Sequence, residues 1–515
     1  MEAPKYLGDH ALLTPEKPAV INASSGETLT YRELDERSNR FAQYLYGHGL
    51  RRGDRFAMFL ENNIRCFEIC WAALRSGLLV VPINRFLTTG EVAYIVEDSN
   101  AKLLVTSWAL RDTAKDLPPL IPNCTRHLMV DGAIDGWTRF EDAVADFPAE
   151  RLADEWLGAT MMYSSGTTGR PKGVLRTLPQ VKITEYAMVS PTIRMLGFHR
   201  DSIYLSTAPL YHAAPMGFAL NLHYLGATVV FMEKFDECQA LANIERYRIT
   251  HSQWVPTMFV RLLKLPAEER QRYDLSSHQS AVHAAAPCPV EIKRQMIDWW
   301  GPIINEYYGG SEGNGATALN SEEWLAHPGS VGKPLIGTLH ICDDEGNEVP
   351  VGEKGLVYFG SEQQAFKYHN DAEKTRSSQH PRNPNWSAIG DIGYVDADGF
   401  LYLTDRKSFM IISGGVNIYP QAIENELILH PSVADVAVIG VPNAEMGEEV
   451  KAVVELVPGA LGSDELAQEM IAFLNGKIGR YMMPRSVDFT DQLPRLPTGK
   501  LYKQQLRERY WPKQA

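Results

Sequence analysis

Tyr163-Ser164-Ser165-Gly166-Thr167-Thr168-Gly169-Arg170-Pro171-Lys172-Gly173 is the stretch on which the reading turns. It follows the apolar, strand-like Thr160-Met161-Met162-Tyr163. Between Ser164 and Gly173 stand three glycines, four hydroxyl residues and two cations. Glycine permits positive φ and close backbone approach. Successive N–H groups can then line an anion-binding concavity, with the hydroxyls and Lys172 as further donors. A Walker A loop needs Gly-Lys-Ser/Thr where Pro171 stands, which excludes an ordinary P-loop NTPase. The competing reading is a plain Gly/Ser/Thr surface loop, and the density of donors argues against it.

Outward from this loop, apolar strands alternate with amphipathic helices. Upstream, strands are expected at Arg55–Leu60, Leu78–Asn84, Leu103–Thr106 and His127–Val130, with helices over Tyr31–Tyr46 and Arg65–Ser76. Downstream, the alternation resumes at Ser202–Ser206, Thr228–Met232, His251–Val255 and Ile303–Glu306. Such alternation implies α/β architecture with parallel sheets covered on both faces. From about 330 to 404 short β-like pieces lie between turn signals such as Asp396-Ala397-Asp398-Gly399, which predicts a small β-rich subdomain. After Asp405 an α+β unit follows, with helices over Asn417–His430 and Asp464–Gly476 and strands at Val433–Gly440 and Val450–Val457. The expected domains are therefore 1–405 and 406–515, the second small and mobile.

The chain has 515 residues, which predicts about three or four folding units. Hydrophobic residues make up 44% and charged residues 22%, enough for a large core. Fifty Lys plus Arg against 63 Asp plus Glu give a net charge of −13, which argues against a nucleic-acid surface. It does not exclude a small anionic ligand, because a local cluster of donors can oppose the global sign. Six cysteines, at 66, 70, 124, 238, 288 and 342, fit no zinc spacing and read as scattered thiols of a cytoplasmic protein. Glu68 and Arg75 interrupt the most apolar stretch, so no membrane span is expected.

The loop resembles the signature of the adenylate-forming superfamily: acyl-CoA synthetases, luciferases and peptide-synthetase adenylation domains. Further motifs occur in the family's order. Tyr308-Gly309-Gly310-Ser311-Glu312 resembles YGxTE, with Ser311 for Thr. Trp386-Ser387-Ala388-Ile389-Gly390-Asp391 resembles the segment ending in TGD, with Ile389 for Thr. Asp405-Arg406-Lys407-Ser408 and Gly414-Gly415 resemble the hinge and the glycine loop behind it. Pro497-Thr498-Gly499-Lys500 resembles the C-terminal lysine motif.

The resemblance implies ATP, Mg²⁺ and CoA, and two steps. A carboxylate attacks the α-phosphate of ATP and displaces pyrophosphate; the CoA thiol then displaces AMP. Ser164, Ser165, Gly166, Thr167, Thr168 and Lys172 would hold the β- and γ-phosphates, with Thr167 the leading hydroxyl. Ala285, Ala286, Gly309, Gly310 and Ser311 would line the nucleotide. Tyr308 would stack on adenine, against the reading of a core aromatic. Asp391 would accept from the ribose hydroxyls, and Arg406 would add a ribose or phosphate contact. Glu312 would hold Mg²⁺, a hard cation suited to carboxylate and phosphate oxygens. Lys500 would stabilise charge at the α-phosphate. His212 would sit beside the reacting carboxylate, although a lone His among apolar residues is also read as a core His. Gly414 and Gly415 would line the CoA tunnel, and the C-terminal domain would rotate about Ser408, where the family has Asp or Lys.

Tyr211, His212, Met216, Trp254, Ala284 and Gly310 are the expected acyl pocket. Small and apolar residues dominate these segments, without a carboxylate to grip an amino group, which predicts a fatty, aryl-alkanoic or steroid-like acid. The alternatives are a stand-alone adenylation enzyme that loads a separate carrier protein, since only fifteen residues follow Lys500, and a luciferase-like enzyme. A homodimer is left open.

Overall fold

The computed structural model describes residues 6–164, 171–186, 189–495 and 501–511. Two open sheets dominate. The first has six strands, all paired in parallel, in the spatial order Thr138–Arg139, Arg126–Val130, Leu103–Ser107, Arg55–Phe59, Leu79–Ile83, Ala159–Thr160. The second has nine. Its six central strands run parallel in the order Ile304–Gly309, Ser280–His283, His251–Trp254, Ile203–Ser206, Thr228–Phe231, Pro18–Asn22, with antiparallel strands at both edges. The central strands of both sheets are buried along their length, as continuous apolar runs covered on two faces require.

The helices begin where local chemistry dictates. Thr30 and Glu33 form a capping box at the start of helix Tyr31–Gly47. Gly226, at φ +80°, closes helix Ala213–Leu225. The expected single strand before the glycine-rich loop is instead two short pieces, Ala159–Thr160 in the first sheet and Met162–Ser164 in a separate antiparallel sheet with Lys172–Leu175 and Lys367–Tyr368. That break lets the loop's two ends pair with each other, Ser164 opposite Lys172.

The expected β-rich segment is a five-stranded antiparallel sheet: Thr338–Cys342, Gly355–Gly360, Trp386–Ser387, Asp391–Val395 and Leu401–Arg406. Its last strand runs through Arg406, which pairs with Asp391, so a split between 405 and 406 falls inside the strand. The next sheet begins at Ile411–Ser413 and continues with Val416–Ile418, Val433–Asn443, Gly447–Leu456 and Ser486–Thr490. The helix expected over Asn417–His430 is only Pro420–Leu427, because Val416–Ile418 is the second strand of a hairpin and Pro420 takes the first helical position. This small C-terminal sheet packs on the larger part: Lys264 Nζ donates to the Val433 carbonyl, and Asp405 Oδ2 accepts from the Gln421 amide at 3.1 Å. Among the described residues, no helix is long and apolar enough to cross a membrane.

Candidate active site

In open α/β sheets the crevice beyond the carboxyl ends of the strands is where ligands bind. Four segments singled out from the sequence stand there on neighbouring parallel strands. Tyr211 and His212 follow Ile203–Ser206, Trp254 ends His251–Trp254, Ala284–Ala286 follow Ser280–His283, and Tyr308-Gly309 end Ile304–Gly309. Ala285 has φ +75° although it carries a Cβ, and its side is exposed. A non-glycine residue in the left-handed region stores strain, and such residues gather at functional sites.

The side of this crevice where the sequence expects the nucleotide is a closed polar cluster. Tyr308 donates its hydroxyl to Asp391 Oδ2 at 2.6 Å, and Arg406 Nε donates to Asp391 Oδ1 at 3.0 Å. Burial, and then the neighbouring carboxylate of Asp391, push the Tyr308 hydroxyl well above its ordinary pKa, so it stays a donor. Burial opposes the charge on Arg406, but Asp391 and the other anionic neighbours outweigh it and its pKa is raised. Arg406 is thus an ion-paired strand residue. Glu312, 8% exposed, accepts from the Tyr368 hydroxyl through Oε1 at 2.9 Å. Its other oxygen lies where a Cβ on Gly310 would come within 2.9 Å, and the same Cβ would come within 2.6 Å of the tip of Ile389, so a larger residue at 310 would push both side chains aside. Arg176 donates to the carbonyl of Ser311 at 2.9 Å and lies across the face of Gly313.

Lys172 leaves the glycine-rich loop and pairs with Asp371 at 2.6 Å. The hydrogen bond holds Lys172 above its ordinary pKa and Asp371 below its own. Ser164 ends the preceding strand. Ser165, Gly166, Thr167 and Thr168, together with Pro497, Thr498, Gly499 and Lys500, lie outside the described residues. The residues flanking the last segment, Arg495 and Leu501, form an antiparallel bridge, and Tyr502 just beyond it feels the charge of Glu91 on the large part.

The acid side differs. Asn62, 6% exposed, reaches across from the first sheet: it accepts from the Leu210 amide and donates to the Met232 carbonyl, each at 2.7 Å. It thereby fixes the turn that presents Tyr211 and His212. His212 caps helix Ala213–Leu225, which carries Met216, 1% exposed, in the same core cluster as Tyr204 and Phe218. Among the described residues, His212 Nε2 and the Tyr211 hydroxyl are buried without a hydrogen-bond partner. Burial pushes His212 down to about 3 and Tyr211 up, so both are neutral near neutral pH.

Trp254 does not face this side. It is 1% exposed and donates Nε1 to Ser252 Oγ at 2.6 Å. It also packs edge-on against Trp300, with ring centroids 5.2 Å apart, in the core cluster of the sheet's other face. Side chains alternate along a strand, so it is Gln253 that turns to the acid side, where it meets Tyr204 and Tyr307. Ala284, 7% exposed, sits at the strand's end as expected.

In the C-terminal sheet, Gly414 and Gly415 have φ +56° and +79° and make the two-residue turn between Ile411–Ser413 and Val416–Ile418. Ser408 lies in an exposed turn just past Arg406, its carbonyl accepting from Arg507 Nη1 at 3.3 Å.

A model of AMP-binding enzymes matches residues 7–369, and one of the AMP-binding enzyme C-terminal domain matches 422–500. The chain belongs to the AMP-binding enzyme family. Within the family it is 33% identical over 503 residues to a feruloyl-CoA synthase of an Amycolatopsis species, covering 97% of each chain. It is 31% identical over 516 residues to a fatty acid–[acyl-carrier-protein] ligase of Streptomyces coeruleorubidus, covering 98% of this chain and 95% of that one. Its fold superposes on the crystal structure of an anthranilate CoA ligase in complex with anthranoyl-AMP. That superposition has a TM-score of 0.83, with 26% identity over 99% of each chain.

Several partners in this candidate site carry no motif. Tyr368 ends the strand Lys367–Tyr368 and Asp371 caps the helix Ala372–Ser377 just after it, and only the fold brings them to Glu312 and Lys172. A fully buried Lys293 pairs with Glu306 at 2.6 Å, with His283 Nε2 3.4 Å from the same oxygen. This pair ties helix Val290–Trp300 to strand Ile304–Gly309 directly beneath the Ala284–Ala286 turn.

Proposed function

We propose that the protein is an AMP-forming acid–CoA ligase: a carboxylic acid and ATP give acyl-AMP and pyrophosphate, and CoA then gives acyl-CoA and AMP. The observation that carries this reading is the Tyr308–Asp391–Arg406 cluster, set at the carboxyl edge of the sheet that also carries, three strands away, the orphaned imidazole of His212. Asp391 offers two oxygens to a ribose, with Arg406 beside it for ribose or phosphate. Tyr308 offers its ring to adenine, and Ala285, Ala286, Gly309, Gly310 and Ser311 offer backbone to the nucleotide.

The first step forms a carboxylate oxygen–phosphorus bond while the bond to pyrophosphate breaks. It needs positioning and charge neutralisation rather than a general base, since the acid is already ionised. Lys172, released from Asp371, and the loop hydroxyls of Ser164–Thr168 would neutralise the leaving pyrophosphate. Mg²⁺ fits Glu312, a buried carboxylate with one oxygen held by Tyr368, and would add charge neutralisation at the phosphates. Lys500 would stabilise the charge on the α-phosphate. Neutral His212 donates or accepts one hydrogen bond and lines the acid together with Tyr211, Met216, Ala284 and Gly310.

The second step breaks the acyl–phosphate bond as the thiol sulfur bonds to the acyl carbon and AMP leaves. Residues 1–405 would bind ATP and acid. Residues 406–515 would turn about the exposed Ser408, exchanging Lys500 for the Gly414-Gly415 turn beside the CoA arm. All six cysteines are free, in keeping with a reducing cytoplasm.

The test is a panel of acids incubated with ATP and Mg²⁺, with and without CoA. AMP and acyl-CoA should appear together, one for one, with an acid of the panel. Pyrophosphate release with CoA left unacylated would move the acceptor to a separate carrier protein, as the similarity to a carrier-protein ligase allows.

A further inference from the structure

The acid side of the crevice has one feature that an alkyl chain does not explain. Gln253 is 4% exposed and Tyr204 is fully buried, yet both are polar. The Tyr204 hydroxyl donates to Gln253 Oε1 at 3.1 Å, and Gln253 Nε2 donates to the Tyr307 oxygen at 3.4 Å. The three side chains come from one sheet: Ile203–Ser206 and His251–Trp254 are neighbours, and Ile304–Gly309 lies beyond Ser280–His283. Burial raises both phenols, so each remains a neutral hydroxyl.

The network is not saturated. A primary amide has two N–H donors and two acceptor positions, and here one of each is used. Tyr307 accepts from Gln253, which leaves its own O–H to donate. Covering these groups with hydrocarbon would leave them unpaired, at a cost that polar groups do not pay in water. Beside them the ring of Phe218 lies nearly parallel to Tyr307, with centroids 5.8 Å apart and planes 27° apart. Phe218 makes a similar pair with Tyr204 at 6.2 Å and 25°. Flat apolar walls with polar groups between them suit a planar ring that carries its own hydrogen-bonding group.

We infer that the acid is an aromatic one with a hydroxyl remote from the carboxylate, and that Gln253, set between Tyr204 and Tyr307, selects it. This deepens the ligase reading and rests on it. It narrows the fatty, aryl-alkanoic and steroid-like classes to one, and puts specificity at a residue next to the Trp254 that the sequence pointed to. Sites built to bond a substrate hydroxyl discriminate strongly against analogues that lack it, because their own polar groups are then left unpaired.

The test measures pyrophosphate release with para-hydroxycinnamic acid, cinnamic acid and dodecanoic acid, for the parent chain and for Gln253→Leu and Tyr307→Phe. The parent should favour the hydroxylated acid by about tenfold or more in kcat/KM over either of the others. Gln253→Leu should erase most of that ratio, and Tyr307→Phe, which keeps the ring, should erase part of it. A preference for dodecanoic acid, or a fall by the same factor for all three acids in both variants, would overturn the inference while leaving the ligase reading intact. Release from no acid at all would overturn the ligase reading, and this inference with it.

Discussion

The two sides of the crevice are built on opposite terms. Where the nucleotide is proposed to bind, the described charged groups have protein partners: Asp391 has Tyr308 and Arg406, Glu312 has Tyr368, and Lys172 has Asp371. On the acid side the buried polar atoms of Tyr211 and His212 have none, and the amide of Gln253 is only partly bonded. The difference follows from the chemistry each half meets. Isolated charges cannot be left buried, so a site for a polyphosphate must keep its ions paired until the ligand exchanges with the partners. Neutral donors and acceptors cost far less when orphaned, so a site for an acid and its hydrocarbon can wait unpartnered.

The comparison can be broken in several ways, the largest first. Lys500 should act on the α-phosphate in the first step alone. Lys500→Ala should lower pyrophosphate release by on the order of 10²–10³, while acyl-CoA formation from supplied acyl-AMP falls only a few-fold. Equal loss of both steps would contradict delivery of Lys500 by a rotating domain. On the nucleotide side, Asp391→Ala leaves Arg406 and Tyr308 without their acceptor. The KM for ATP should rise about ten- to hundredfold, with a much smaller change in the KM for the acid. His212→Ala should show the reverse split, raising the KM for the acid by about tenfold and leaving that for ATP nearly in place. If the two variants gave the same pattern, the two sides would not be separate.

The smallest effect concerns pH and stability. Burial lowers His223 to about 4 and His278 to about 3, from an ordinary value near 6.5. The unfolded chain therefore binds more protons than the folded one between these values, so stability rises with pH through that window. It is fully present above about 6.5 and drains away as the pH falls toward 3 to 4. Thermal midpoints measured from pH 7.5 down to 5 should decline steadily, with the decline starting near pH 6.5 and not near pH 4.

Much of this was legible in the sequence, and the exceptions have a common cause. Most of the parallel strands are readable as buried apolar runs, and the motifs of Tyr308–Glu312 and Asp391 because they are contiguous. Trp254 was misplaced by a single step of strand alternation: composition marks the segment as apolar, but only the sheet's two faces tell Trp254 from Gln253. Arg406 is expected at the ribose or phosphate from the motif, but nothing local shows that its strand pairs with Asp391, fifteen positions back. Asn62, Tyr368 and Asp371 were invisible for the same reason, since each acts on a residue at least 50 positions away. Asn417–His430 read as one helix because apolar spacing cannot distinguish a short hairpin strand from a first helical turn.

Acid-dependent exchange of labelled pyrophosphate into ATP, measured without CoA, tests the central claim most directly. The account predicts exchange that needs both the acid and Mg²⁺, proceeds in the absence of CoA, and is lost in Lys500→Ala. Exchange with no acid of a broad panel, or pyrophosphate release only when CoA is present, would contradict an acyl-adenylate formed before the thiol enters.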